Sequence, residues 1–141
     1  MKHISFAWTT QALLAGRKTC TCRDWEPEYA NQFKAGGLVA AYDRSPRYKG
    51  KRIATLRLTH DATFGVLTEL VPDAYEREGF AYYDEQVAAG NEKAIAAVKR
   101  GLHLPDGMTL RTYLDHYRWG EWIVRFDVVN FEPEGDDAAG R

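Results

Sequence analysis

The stretch Gly16-Arg17-Lys18-Thr19-Cys20-Thr21-Cys22-Arg23 decides how the rest of the chain is read. Before it, Gln11-Ala12-Leu13-Leu14-Ala15 are good helix formers, and Thr9 or Thr10 offers an N-cap hydroxyl. Gly16 stands where a helix-ending glycine belongs. After it, residues 19–23 are β-prone and polar by turns, which predicts a strand. A short helix therefore feeds a strand across a turn that carries Lys18. On that strand Thr21 and Arg23 point to one face. At the turn, alternation does not set the direction of Lys18. A lysine, a hydroxyl and an arginine converging on one spot can bind an anion or polarise a carbonyl.

Working outward, residues 3–7 alternate and predict a first strand ahead of the helix. Residues 24–34 are polar, contain Pro27 and read as a loop. Gly36-Gly37 turns the chain into a buried strand over 38–42, and residues 44–52 form a charged turn. Over 53–60 the alternation is clean, with Ala54, Leu56 and Leu58 on one face and Thr55, Arg57 and Thr59 on the other. The middle is helical. Pro72 precedes a short helix over 73–78, ended by Gly79. Val87, Ala94, Ile95, Val98 and Leu102 suit one helical face, which Gly90-Asn91 can divide in two. Thr109 can cap a helix carrying Leu110, Tyr113, Leu114 and Tyr117. Gly120 ends it. Residues 121–131 are the clearest strand, with Trp122, Val124, Phe126 and Val128 on one face. Consecutive short strands with helices inserted at one place imply an α+β fold with a curved or barrel sheet.

The chain has 141 residues, enough for one domain and one core, with no internal repeat or boundary. Its formal net charge is -1, which argues against strong non-specific binding to a nucleic-acid backbone, though not against a local basic patch. No apolar run approaches the ~20 residues that span a bilayer. Met1-Lys2-His3-Ile4-Ser5-Phe6-Ala7-Trp8 lacks the apolar stretch of a signal peptide, so a cytoplasmic protein without membrane contact is expected. Cys20 and Cys22, at i and i+2, suit neither a disulfide nor a structural zinc site and read as two small apolar residues on one strand face. His3, His60, His103 and His116 are scattered, with no metal spacing, and no cofactor motif is present.

The pattern G-x-K-x-x-T-x-R, filled by Gly16, Lys18, Thr21 and Arg23, resembles the signature of the ASCH domain, a relative of the PUA RNA-binding domain. The flanks are similar too: an apolar strand ending in Trp8, and Leu13-Leu14 before the glycine. The resemblance covers the first sixty residues and the final strand. It implies a PUA-like mixed β-barrel with peripheral helices over residues 1–131, into which this chain sets a helical insertion at about 81–118; residues 132–141 are polar and Gly-rich and read as a frayed tail. The run through Asp24, with Phe33-Lys34-x-Gly36 and Leu38-Val39, is most similar to a subgroup of small amidohydrolases that remove the acetyl group from N4-acetylcytidine. In that subgroup a lysine, a threonine and a later glutamate form the catalytic set. The resemblance places these roles on Lys18, Thr21 and Glu78, and the long insertion is a departure from the subgroup. Relatives with ribonuclease or RNA-binding roles make an RNA-binding module or a ribonuclease the alternative.

Amide cleavage needs a nucleophile, a base and a group to stabilise the oxyanion. Thr21 would attack once Lys18, held neutral, takes its proton, and Arg17 or Arg23 could supply the cation that favours the neutral amine. Glu78 would move a proton to the leaving amine or orient Lys18. In the other division of labour, Thr21 donates a hydrogen bond while Lys18 or Glu78 activates a water. Arg23, Arg17 and Trp25 are the expected ligand-binding residues, with Trp25 closing over a base. Tyr82 and Tyr83 could line the same mouth, although aromatic residues at such positions more often fill a core. Arg44, Arg47, Lys49, Lys51 and Arg52, with Tyr48 among them, could track single-stranded RNA or form a solvated hairpin. The expected partner is a small nucleoside or single-stranded RNA. Nothing in the sequence points to a protein partner.

Overall fold

The computed structural model describes residues 1–133. Most of the tail expected to fray, residues 134–141, lies outside them. Six strands form one mixed sheet: β1 (Lys2–Ser5), β2 (Cys20–Arg23), β3 (Leu38–Tyr42), β4 (Arg52–Leu58), β5 (Thr63–Val66) and β6 (Gly120–Phe131). Their order is β1-β3-β4-β6-β2, with β5 also paired to β6. Among the described residues only β1 and β3 run parallel, Lys2 facing Val39 through Ser5 facing Tyr42. The long β6 is the spine. Its second half pairs with β4, from Phe126 opposite Leu58 to Phe131 opposite Ala54. Its first half is held from both sides, Trp122 lying opposite Arg23 on one edge and Phe64 on the other. Register shifts at Ala41/Tyr42 and Thr55/Leu56 bend the ladder. The sheet curls into a half-barrel with helices around it, the α+β arrangement of a PUA-like barrel with peripheral helices.

The helices are α1 (Thr10–Leu14), α2 (Pro27–Ala30), α3 (Leu67–Leu70), α4 (Ala74–Arg77), α5 (Phe80–Ala88), α6 (Glu92–Leu102) and α7 (Leu110–Asp115). Thr9 does not cap α1: its hydroxyl donates back to the Phe6 carbonyl at 2.7 Å, closing a 3-10 turn over Ala7–Thr9. Gly16 follows α1 with φ 72°. Asn91 separates α5 from α6 and caps the latter, its Oδ1 accepting from Lys93 N and Ala94 N. Thr109 caps α7 through Thr112 N. No helix among the described residues is long and apolar enough to cross a membrane.

Three further expectations change. The loop over 24–34 contains α2, because Pro27 takes the first helical turn where its missing N–H costs nothing. β5 arises in a stretch without an alternating pattern, because β6 offers it an open edge. Val87 does not join the buried helical face: it is solvent-exposed, while Ala94 and Ala97 are buried.

β6 divides two cores. Val124 and Phe126 face inside the curl with Ile4, Phe33, Val39 and Leu56. Ile123 faces the helices with Leu67, Tyr83, Leu110 and Leu114. Both faces are buried in this half of the strand, so its alternation does not separate core from solvent. The short α1 serves both cores, Ala12 in one and Leu13 in the other.

Candidate functional site

β1 and β2 end the strand order, so the half-barrel has a seam between them. Arg23 ties the seam: its Nη2 donates to the Ser5 carbonyl at 2.6 Å and its Nη1 to the Cys22 carbonyl at 3.2 Å. A cavity of about 200 Å³ opens there. One wall is the chain leaving β1, from Ser5 to Thr9; another is β2, with Thr21, Cys22 and Arg23. Ala7 adopts φ 46°, a left-handed conformation uncommon for alanine, as the chain turns along this wall.

Lys18 and Glu78 line the same cavity. The segments around them run side by side through three adjacent contacts. Arg17 clamps Glu76 from Nε at 2.7 Å, and also Glu85 on α5 at 2.8 Å. Thr19 N–H donates to the Arg77 carbonyl at 2.7 Å. Between them Lys18 Nζ donates to Glu78 Oε1 at 2.8 Å and to the Glu78 carbonyl at 2.9 Å. The close approach needs Gly79, whose φ is 88° and where an added Cβ would lie 2.6 Å from the Ala12 Cβ. Lys18 is 1% exposed and Glu78 5%, an ion pair taken almost wholly out of water. Such a pair gains little net stability over apolar side chains of the same size. Thr21, 2% exposed, lines the same cavity.

The second Glu78 oxygen accepts from Cys22 Sγ at 3.3 Å, with Cys20 Sγ at 3.9 Å. Burial, and then the charge of Glu78, push both thiols well above their ordinary range. Cys22 is therefore a hydrogen-bond donor in this site, not a thiolate nucleophile. The two cysteines expected as small apolar residues do more than fill space: both pack in or against the helical core, and both thiols face the Glu78 carboxylate.

Arg23 has no carboxylate partner in a salt bridge among the described residues. Burial pushes its guanidinium down and the Glu78 charge opposes the shift. Two of its five N–H donors serve carbonyls, which leaves donors for a ligand. Glu121, at the start of β6, also lines the cavity. Burial, then the charges of Glu78 and Asp24, push its carboxyl up, against the pull of Arg23. Phe80, Tyr113 and Tyr117 supply the aromatic wall.

Lys18, Thr21, Glu78 and Arg23 thus share one cavity; Arg17 and Trp25 do not line it. The Arg17 guanidinium is committed to Glu76 and Glu85 on the outer side, and those carboxylates push its pKa upward. Trp25 stacks on Phe33 at 4.3 Å and belongs to the margin of the curl's core. Tyr83 is fully buried, its hydroxyl donating to the Trp8 carbonyl at 2.6 Å, and Tyr82 packs edge-on against it. The residues that sequence reasoning missed are Glu121 and the aromatic pair Tyr113 and Tyr117. Glu121 carried one usable signal: it is an acid two residues before Ile123, on the face of β6 turned to the helices.

The chain matches no family model and no curated protein. Among solved structures it is similar to protein EF3133 from Enterococcus faecalis V583, described under the family model DUF984. The TM-score is 0.50 and the identity 20%, over 91% of this chain and 74% of that one. At that identity the likeness is one of fold.

Proposed function

We propose that the protein is an amidohydrolase that removes an acyl group from a modified pyrimidine nucleoside such as N4-acetylcytidine. The observation that carries this reading is the desolvated Lys18–Glu78 pair lining one cavity with the buried Thr21. An ion pair costly to bury, sharing a cavity with a hydroxyl and a cation, is a set suited to amide cleavage. The resemblance of Gly16, Lys18, Thr21 and Arg23 to the ASCH amidohydrolase motif supports it.

In this mechanism Lys18 passes a proton to Glu78 along their 2.8 Å hydrogen bond and becomes a free amine. Thr21 Oγ1 attacks the acyl carbon while its proton moves to Lys18. Arg23 stabilises the oxyanion. The C–N bond breaks as the proton held by Lys18 passes to the leaving N4 amine, and cytidine departs. Water then cleaves the Thr21 ester, releasing acetate and restoring the hydroxyl. Glu121 serves the polar edge of the base, and Tyr113 or Tyr117 stacks on its face.

The test is incubation of the purified protein with N4-acetylcytidine, with cytidine followed by chromatography. Cytidine formed by the unmutated protein and not by Thr21→Ala is the expected result. Absence of cytidine, or equal turnover by Thr21→Ala, overturns the proposal. Cleavage of RNA, or binding of RNA without turnover of the nucleoside, would instead favour a ribonuclease or RNA-binding module.

A further inference from the structure

The helical segment after Glu78 builds a second concavity against the first. A cavity of about 350 Å³ lies along the same Ala7–Trp8 segment, and these two residues line both cavities. Lys93 and Arg100 of α6, at i and i+7 on one helical face, meet Arg44 from the turn after β3. Ala96 and Ala97 between them keep the surface low. α6 can lie this close because Gly101 faces the Trp8 indole, where an added Cβ would sit 2.5 Å from ring atoms.

The charge of this cavity is unbalanced. Arg17, Arg52 and Arg77 are paired with carboxylates. Arg44, Lys93 and Arg100 enter no ion pair or side-chain hydrogen bond among the described residues. The only acid in the lining is Asp43, whose carboxylate already accepts the Lys51 N–H at 2.7 Å. Three cations therefore face one engaged carboxylate. Thr10 and Gln11 add neutral hydrogen-bonding groups to the wall. Two guanidinium groups and an ammonium around a small concavity are the donor set of a phosphate site. A net charge of -1 does not suit a long phosphate backbone, so one phosphate group is the better fit.

We propose that this second cavity is a phosphate subsite, and that the preferred ligand is a nucleoside monophosphate whose base occupies the first cavity. The inference rests on the reading that the first cavity takes a pyrimidine nucleoside, and not on whether that nucleoside is hydrolysed. The base and ribose lie against Trp8, and the phosphate reaches across the Ala7–Trp8 wall to Arg44 and Arg100.

The experiment is calorimetric titration of the full chain with cytidine and with cytidine 5′-monophosphate. Both are titrated into the unmutated protein, an Arg44→Ala/Arg100→Ala variant and an Arg44→Lys/Arg100→Lys variant. The unmutated protein is expected to bind the monophosphate about tenfold more tightly than cytidine, from charge-assisted contacts to phosphate. The alanine variant should bring that ratio to within about twofold of unity, and the lysine variant should retain part of it as point charges without the planar fork. Circular dichroism melting confirms that each variant is folded. Equal affinities in the unmutated protein, a ratio that survives both alanine substitutions, or no binding of either compound overturns the proposal. Binding of a short oligocytidylate with steep salt dependence, without binding of the monophosphate, overturns it in favour of a strand-binding surface. Because the readout is binding, inactivity toward N4-acetylcytidine sinks the hydrolase reading and leaves this one measurable.

Discussion

Substituting Lys18→Met, Glu78→Leu and the two together asks whether the buried pair serves folding or chemistry. The Lys18 side chain is 1% exposed and the Glu78 side chain 7%, so removing either charge strands the other away from water. Breaking a buried pair from one side costs about 3–5 kcal/mol. At about 2–4 °C per kcal/mol for a chain near this length, each single substitution should lower the melting temperature by roughly 6–20 °C. The double substitution removes both charges and fills the space with apolar atoms. It should be neutral or stabilising, by about 1–4 kcal/mol relative to the unmutated protein. Cys22 would lose its acceptor, a small loss because a thiol is a weak donor. All three variants should fail to release cytidine from N4-acetylcytidine. The assay is urea denaturation at pH 7 with thermal melting alongside, repeated at high salt, to which a desolvated pair should respond little. Single variants that each cost under about 1 kcal/mol would refute the reasoning, since surface pairs behave that way. So would a double variant as unstable as the sum of the singles.

Two further substitutions probe the cavity and its support. The raised Glu121 carboxyl binds its proton more readily in the folded state than in the unfolded chain. Its contribution is complete below the ordinary carboxylate value of about 4.3 and is lost as pH rises through the folded-state value. Glu121→Gln should therefore melt higher than the unmutated protein at neutral pH, the gap closing as pH falls; melting curves across that range decide it, and a gap that widens toward acid would contradict the assignment. Gly79→Ala combines a left-handed backbone with a Cβ placed 2.6 Å from that of Ala12. Strain of about 1–3 kcal/mol and a clash of similar size should appear in chemical denaturation, and unchanged stability would show that the Glu78 turn can shift.

Much of the candidate site could be read without coordinates because its parts are local. The helix ended by Gly16 and the β2 residues Thr21 and Arg23 share one short stretch of chain, and the short helix leading to Glu78 and Gly79 forms another, 60 residues from Lys18 to Glu78. Helical and strand periodicities act over i+2 to i+4, so β4, β6 and α7 were legible for the same reason. Other elements depend on partners far away in sequence. β5 carries no pattern of its own and forms on the edge of β6, while the first half of β6 buries both faces because helices cover one side and the curl the other.

The sequence by itself determined an α+β chain with a Lys, Thr and Arg at a helix-to-strand turn. Only the tertiary structure decided which of the nearby cations and aromatics reach the cavity. Arg17 follows Gly16 directly, yet two distant carboxylates hold it outside; Trp25 follows Arg23 by two residues, yet Phe33 draws it to the core of the curl. Glu121, Tyr113 and Tyr117, about a hundred residues from Lys18 along the chain, line the site instead. The physical reason is that the cavity lies at a seam between two strand edges. Which residues reach it depends on how the sheet curls and the helices close over it, long-range packing that no local periodicity encodes.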